Sequence, residues 1–265
     1  MTPIAPLRER YLRLVRDSVV GLLDEDPGTA FARLTSSPTF DRMTRVEGRD
    51  YPATAPSMIG ATKLLQLQRA AEAVIEQGVP GDFLEAGVWR GGACILMRAV
   101  LAAWGDARRR VWAADSFLGM PAPDPERSPH DVGSPLHGEA RLAVSLEEVK
   151  RHFARYGLLD GQVGFLEGWF SETLSDPRIE HLAILRIDAV FHRSTMDALV
   201  ALHDKVSPGG YVIVDDYGAF VPCRIAVEEF RRARGIDDPI EWIDDSGIYW
   251  RRGSSSRPGA ACEDA

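Results

Sequence analysis

The chain has 265 residues, 45% hydrophobic and 26% charged, the mix of a soluble globular protein with one sizeable core. Thirty-one Lys and Arg against 39 Asp and Glu leave a formal charge of −8, which disfavours a sequence-independent grip on nucleic acid or on an anionic membrane. Cys94, Cys223 and Cys262 form neither a disulfide framework nor a zinc spacing, and no apolar run reaches bilayer length or resembles a signal peptide, so a cytoplasmic protein is expected.

Leu7, Leu12, Leu14, Val15, Val19, Val20, Leu22 and Leu23 recur near helical spacing and predict a helix over 6–24. Residues 27–57 mix Pro, Gly, Thr and Asp without a period and read as short helices and loops. A helix over 58–77 stops at Gly78, with Pro80 beyond it. A strand over 82–88 runs into the turn Trp89-Arg90-Gly91-Gly92, and a helix follows over 93–104. The next strand is 110–115. Residues 117–145 carry five prolines and two histidines without periodicity, and a segment that long inside a domain reads as a functional flap. Then come a helix at 146–156, strands at 162–166 and 182–188, and a helix at 194–204. Ser207-Pro208-Gly209-Gly210 reads as a turn into a strand at 211–216, followed by a helix at 221–234 and strands at 239–243 and 247–251. The tail, 253–265, has the composition of a disordered segment.

Nearly continuous apolar strands alternating with helices imply an α/β fold with a doubly wound parallel sheet, buried on both faces. Such sheets bind ligands beyond the carboxyl ends of their strands. Those ends carry Glu85, Asp115, Asp188, Asp215 and Asp216.

Around Glu85, the glycines Gly87, Gly91 and Gly92 let a backbone approach a ligand where a Cβ would collide. The alternative is a tight turn with no ligand. The spacing is not G-x-G-x-x-G and no Walker lysine is present, which disfavours a dinucleotide or a nucleoside triphosphate. Asp115 is placed to accept both ribose hydroxyls of a nucleoside, or else caps a helix or lies at the surface. Together these features favour a nucleoside cofactor without a long phosphate chain, and S-adenosylmethionine fits. Asp188, Asp215 and Asp216 suit a magnesium ion, since three packed acids would otherwise repel. The alternative is that they cap helices or pair with Arg186 or Arg224. His192, four residues after Asp188, is either a general base or a polar residue at a loop-to-helix junction. His130 and His137 lie in the flap, ordered over substrate or solvated. His152, His181 and His203 read as surface residues.

Residues 51–252 resemble the macrocin O-methyltransferase family of bacterial natural-product tailoring enzymes. The matching stretches are Tyr51-Pro52, Ser57-Met58-Ile59-Gly60, the run from Glu85 to Ile95, Ala114-Asp115-Ser116-Phe117, Gly168-Trp169-Phe170 and Ser194 to Leu199. Ser207 to Gly210, Val214-Asp215-Asp216-Tyr217 and Gly247 to Arg252 complete the set. The resemblance implies a class I methyltransferase (Rossmann-like) fold, its mostly parallel sheet flanked by helices on both faces and ending in an antiparallel strand. It implies methyl transfer from S-adenosylmethionine, with Mg2+, to a deoxysugar hydroxyl of a glycosylated secondary metabolite. The methyltransferase domain would span 58–252, with an N-terminal helical or lid segment at 1–57. Asp188, Asp215 and Asp216 would hold the metal. Glu85, Gly87, Trp89, Gly91, Asp115 and Ser116 would line the cofactor, as would Gly168, Trp169 and Asp188, with Ser57 and Met58 near its methionine end. The flap around His137 and Glu139 would close over the sugar. The N-terminal helix and 27–57, lying outside the sheet pattern, would pack between subunits of a homo-oligomer or over the cofactor.

One stretch departs from the family pattern. After the fourth strand the family reads Asp-Gly-Asp, and its second aspartate is the general base. Here the residues are Asp188-Ala189-Val190, and a valine takes no proton. Losing a positioned base costs ~10²–10⁴ in rate. Three explanations stand: His192 acts as base from two residues along; the acceptor is a more acidic phenol, enol or carboxyl group; or the pocket serves a non-methyl-transfer reaction or binding alone. A fourth is that a water or a flap residue such as Glu139 takes the proton.

Overall fold

The computed structural model describes residues 4–29 and 39–253. In chain order, α1 (Ile4–Val19) leads to β1 (Gly28–Thr29), α2 (Arg42–Val46) and β2 (Tyr51–Pro52), and β1 and β2 pair antiparallel. The main body follows: α3 (Gly60–Glu76), β3 (Asp82–Ala86), α4 (Gly92–Trp104), β4 (Val111–Asp115), α5 (Leu146–Arg155), β5 (Val163–Glu167), α6 (Phe170–Thr173) and β6 (Leu182–Ile187). It closes with α7 (His192–Leu202), β7 (Val206–Val214), α8 (Val221–Arg234), β8 (Glu241–Trp242) and β9 (Ile248–Arg251). Among the described residues, no helix is long and apolar enough to cross a membrane. The tail from 254 lies outside them, as does 30–38.

Seven strands form one sheet in the order β5-β4-β3-β6-β7-β9-β8. Strands β3 to β7 are parallel, and β9 runs antiparallel to β7 and β8. The chain winds outward from β3 to β5 and then returns to β6 on the other side of β3. That reversal opens a crevice at the carboxyl ends of β3 and β6, where such sheets bind ligands.

Both faces are covered, which is why the central strands read as unbroken apolar runs. Helices α1, α3, α4 and α5 bury one face through Leu12, Leu64, Leu96 and Phe153, while α7 and α8 bury the other through Leu199 and Val227. Full burial of a Leu or Val side chain stabilises by about 1.5–3 kcal/mol.

Several expectations change. Helix α1 does not lie outside the sheet architecture: Leu12, Val15 and Val19 enter the core, and the Arg8 guanidinium sits 3.8 Å over the Trp104 ring. It ends at Val19 rather than near 24 because the chain reverses at Gly21 (φ +73°), where a Cβ would stand 2.7 Å from that of Asp26. Ser207–Gly210 is not a turn before the strand but lies within β7. The pairing jumps from Leu182–Val206 to Ile184–Tyr211, and the extra residues are accommodated as an irregularity, with Gly209 at φ +82°. His152 and His203 are buried, His152 against the Arg90 carbonyl (2.9 Å) and His203 between Phe230 and Trp250. Elements β1, β2, α2 and α6 are too short to leave a periodic signal.

A buried arginine organises the segment before α3. Arg45, fully buried, pairs both carboxylate oxygens of Asp50 at 2.7–2.8 Å and donates to the carbonyls of Val20 and Asp26 at 2.7 Å. The Asp26 carboxylate in turn accepts the amides of Thr54 and Ala55 at 2.9 Å. This network sets the course of the chain into Pro56, Ser57 and Met58.

Candidate active site

Strand alternation turns Glu85 and Arg186 inward, directly opposite one another on β3 and β6. Arg186 is 1% exposed, and its guanidinium bonds Glu85, Asp188 (Oδ2, 3.0 Å) and Asp215. From α3, Lys63 Nζ donates to Asp215 Oδ2 at 2.7 Å and to the Asp215 carbonyl at 3.1 Å. Glu85 also accepts from the Cys94 thiol at 2.9 Å. Burial pushes the Glu85 carboxyl up to about 7 against the pull of Arg186. Burial would raise Asp215 too, but the charges of Lys63 and Arg186 outweigh it and hold that carboxyl low.

Asp188, Asp215 and Asp216 each offer an oxygen within 4.8 Å of the others'. Asp216 is 8% exposed, its Oδ2 is buried without a hydrogen-bond partner, and burial plus the neighbouring Asp188 and Asp215 push its carboxyl well up. Four acids (Glu85, Asp188, Asp215, Asp216) face two cations (Arg186, Lys63). An oxygen-only donor set with two surplus acids and an unpartnered buried carboxylate oxygen fits a hard divalent cation.

Beside this cluster, a cleft is lined by Ser57, Met58, Glu85, Val88, Trp89, Gly92 and Asp188. The glycines around it allow close packing within the fold. Gly87 sits at φ +89°, and a Cβ there would overlap the Asp188 carbonyl oxygen. Gly91 (φ +87°) starts α4, and a Cβ on it would stand 2.9 Å from Val149. The Gly92 amide donates to the Pro56 carbonyl at 3.0 Å, and a Cβ there would meet that of Ser57 at 2.5 Å. Asp115 is likewise committed to the backbone: it accepts the amides of Val88 (2.8 Å), Trp89 (3.3 Å) and Phe117 (2.8 Å), and so braces the turn, where the sequence alone suggests a ribose acceptor, a helix cap or a surface acid. Ser116, 7% exposed, bonds Gly119 rather than the cleft. Gly168 reaches the same edge, its amide donating to the Asp115 carbonyl at 3.0 Å, and Trp169 begins α6 beside it.

The flap docks at two points. At its midpoint, buried Asp131 accepts the amides of His192 and Arg193. Near its end, the Arg141 carbonyl accepts both Tyr51 OH and Trp89 Nε1 at 2.9 Å. None of the three expected catalytic side chains groups with Asp188, Asp215 and Asp216 among the described residues. His192 Nε2 pairs with Glu229 at 2.8 Å, so its ring serves the α7–α8 surface. His137 is exposed. Glu139 is held by Arg141 at 2.8 and 3.0 Å, and those hydrogen bonds bring its carboxyl down to about 2, making it a poor base. Val190 joins an apolar group with Tyr51, Leu136, Met58, Met120 and Phe220.

The sequence reading overlooks Lys63 and treats Arg186 only as a possible pairing partner. The signal for Arg186 is a lone charge inside an apolar strand. Lys63 carries none, since a helical lysine is ordinarily solvated.

The profile of the family described as Macrocin-O-methyltransferase (TylF) matches residues 16–252. A tetracenomycin-type relative from Streptomyces olivaceus, 8-demethyl-8-(2,3-dimethoxy-alpha-L-rhamnosyl)-tetracenomycin-C 4'-O-methyltransferase, is 46% identical over 94% of this chain and 95% of its own. Mycinamicin III 3''-O-methyltransferase from Micromonospora griseorubida is 45% identical over 92% and 96%. The solved structure of the O-methyltransferase NovP superposes with a TM-score of 0.88 at 46% identity, covering 93% of this chain and 99% of that one.

Proposed function

This chain belongs to the macrocin O-methyltransferase family, and from that premise we propose that it uses S-adenosylmethionine and magnesium to methylate a hydroxyl on the sugar of a glycosylated natural product. It is an O-methyltransferase by family; cofactor, metal and acceptor are the proposal. The observation that carries it is the partnerless Asp216 Oδ2, buried beside Asp188 and Asp215 at the edge of the cleft.

When bound, S-adenosylmethionine supplies the methyl group, and magnesium polarises the acceptor hydroxyl toward ionisation. The protein's part is positioning. Asp188, Asp215 and Asp216 hold the cation, while Arg186 and Lys63 fix Asp188 and Asp215 from behind. Ser57, Met58, Glu85, Gly87 and Trp89 hold the methionine half of the cofactor, with Gly91 at the start of α4. Asp115 fixes the turn at Val88 and Trp89, and any ribose contact it makes is additional to that work. Gly168 and Trp169 border the nucleoside end. The docked flap excludes water from the acceptor, and Val190, Leu136 and Phe220 give it an apolar wall. Reactants held in such a frame behave as though at very high local concentration.

A second reading has its own observation: Val190 is apolar, and His192 and Glu139 are engaged elsewhere. On that reading the pocket binds the cofactor but catalyses a different tailoring reaction. Calorimetric titration with S-adenosylmethionine, with and without magnesium, followed by mass spectrometry of a glycoside acceptor, separates the two. Binding with a 14-Da mass gain, the mass of one added CH2, is expected; binding without transfer to any acceptor favours the second reading, and no binding overturns both.

A further inference from the structure

Outside the proposed catalytic cluster, three metal-binding side chains from three separate elements meet. His130 lies in the short 3-10 turn Pro129–Asp131 of the flap, His192 is the first residue of α7, and Glu229 is on α8. Each offers a ligand atom within 4.8 Å of the other two. His192 Nε2 stands 2.8 Å from a Glu229 carboxylate oxygen, and the two imidazole rings lie 5.0 Å apart at 40°. His130 and Glu229 are exposed, so an ion reaches them from solvent without opening the fold.

The neighbouring residues hold this arrangement. Asp131, next to His130, is not a ligand, because its oxygens accept the amides of His192 (2.7 Å) and Arg193 (3.1 Å) and it is bonded by Ser128 Oγ at 2.5 Å. Those bonds fix the flap backbone against the start of α7 and keep His130 beside His192. We propose that His130, His192 and Glu229 form a second metal site, selective for a zinc-class divalent ion, that pins the flap to α7 and α8.

Donor chemistry decides the metal class. Two imidazole nitrogens and one carboxylate suit zinc or its borderline neighbours, whereas magnesium takes oxygen ligands and keeps its waters. Tetrahedral bonds of ~2.0–2.2 Å place ligand atoms roughly 3.3–3.5 Å apart. The Nε2–Oε2 pair, 2.8 Å apart, therefore widens by roughly 0.5–0.7 Å to admit the ion, and the fourth position is left for water. Because α7 begins four residues after Asp188, an ion here stiffens the flap where it meets the proposed active site.

The test is a zinc titration of the full chain against a chromophoric chelator, in excess magnesium to keep the acidic cluster filled. One tightly bound zinc per chain is expected, with affinity falling at least about tenfold in His130→Ala and in Glu229→Gln, each the loss of one ligand bond. Limited proteolysis gives an independent readout: zinc should slow cleavage within 118–128 in the wild-type chain and leave His130→Ala unaffected. Equal zinc affinity in all three proteins, or no zinc uptake by the wild-type chain, overturns the proposal. So does zinc binding that disappears in Asp216→Asn and persists in His130→Ala, since the ion would then sit in the acidic cluster.

Discussion

Asp131 caps helix α7 from 61 residues away: its Oδ1 accepts the His192 amide at 2.7 Å, supplying what Phe191 at the N-cap cannot. The first turn of a helix leaves backbone amides without partners, and a side-chain acceptor there contributes ~0.5–2 kcal/mol. Asp131→Ala should therefore lower stability by about 1–2 kcal/mol in urea unfolding and expose the flap to protease. Unchanged stability with an intact flap would show that the cap carries no weight.

At the acidic cluster, Asp216→Asn keeps the shape and removes one negative charge. Turnover should fall by at least about 10²-fold, as expected when a group acting in the transition state is lost, while S-adenosylmethionine affinity changes little. Chelating divalent metal from the wild-type protein should produce the same split. Since Asp216 Oδ2 has no partner and its neighbours are anionic, the metal-free variant should melt no lower than the metal-free wild type. Methyl transfer that survives both treatments would remove the metal from the reaction.

Val190→Asp sets a carboxylate into an apolar group. Partial desolvation should cost about 1–3 kcal/mol of stability. Methyl transfer should nonetheless rise by one to two orders of magnitude, toward the ~10²–10⁴ that a positioned base supplies. Steady-state turnover alongside calorimetric cofactor binding decides the matter. Normal binding with no gain in rate would favour the non-methyl-transfer reading.

Glu85 predicts a pH effect on stability. In the folded chain it holds its proton up to about 7, against an ordinary value of 4.5. Between those limits the folded state binds more protons than the unfolded state, so this group's contribution to stability declines as pH rises. Glu85→Gln should flatten that decline when urea midpoints are compared at pH 5 and pH 7. An identical slope in the variant would assign the effect to another group.

The parallel sheet and its acidic edge were legible because burial on both faces leaves uninterrupted apolar runs, so that any polar residue at their ends stands out. Asp188, Asp215 and Asp216 converge as their strand positions imply. The glycines were legible as special positions but not for their cause: the atom that a Cβ on Gly87 would strike is the Asp188 carbonyl, 101 positions along the chain. His192 shows a second limit. Four residues after Asp188 it is near in sequence, yet helix geometry and Glu229 turn its ring toward α8, and that partner lies 37 residues on. The role of Asp131 was equally hidden, because a cap supplied from a distant loop leaves no mark at the helix it serves.

The docking of Pro56 and Ser57 on Gly92 has an evolutionary consequence. The rim of the cleft is closed by a backbone bond, Gly92 amide to Pro56 carbonyl, added to the Arg45 and Asp26 network that steers the chain into it. That bond does not itself depend on the side chains at 57 and 58, which line the cleft. The cofactor edge of the cleft can therefore keep its shape while residues of the apolar wall, such as Val190 and Leu136, change by point mutation, provided that position 92 stays glycine. Any larger residue there would lift the rim and undo the frame against which those variations are tried.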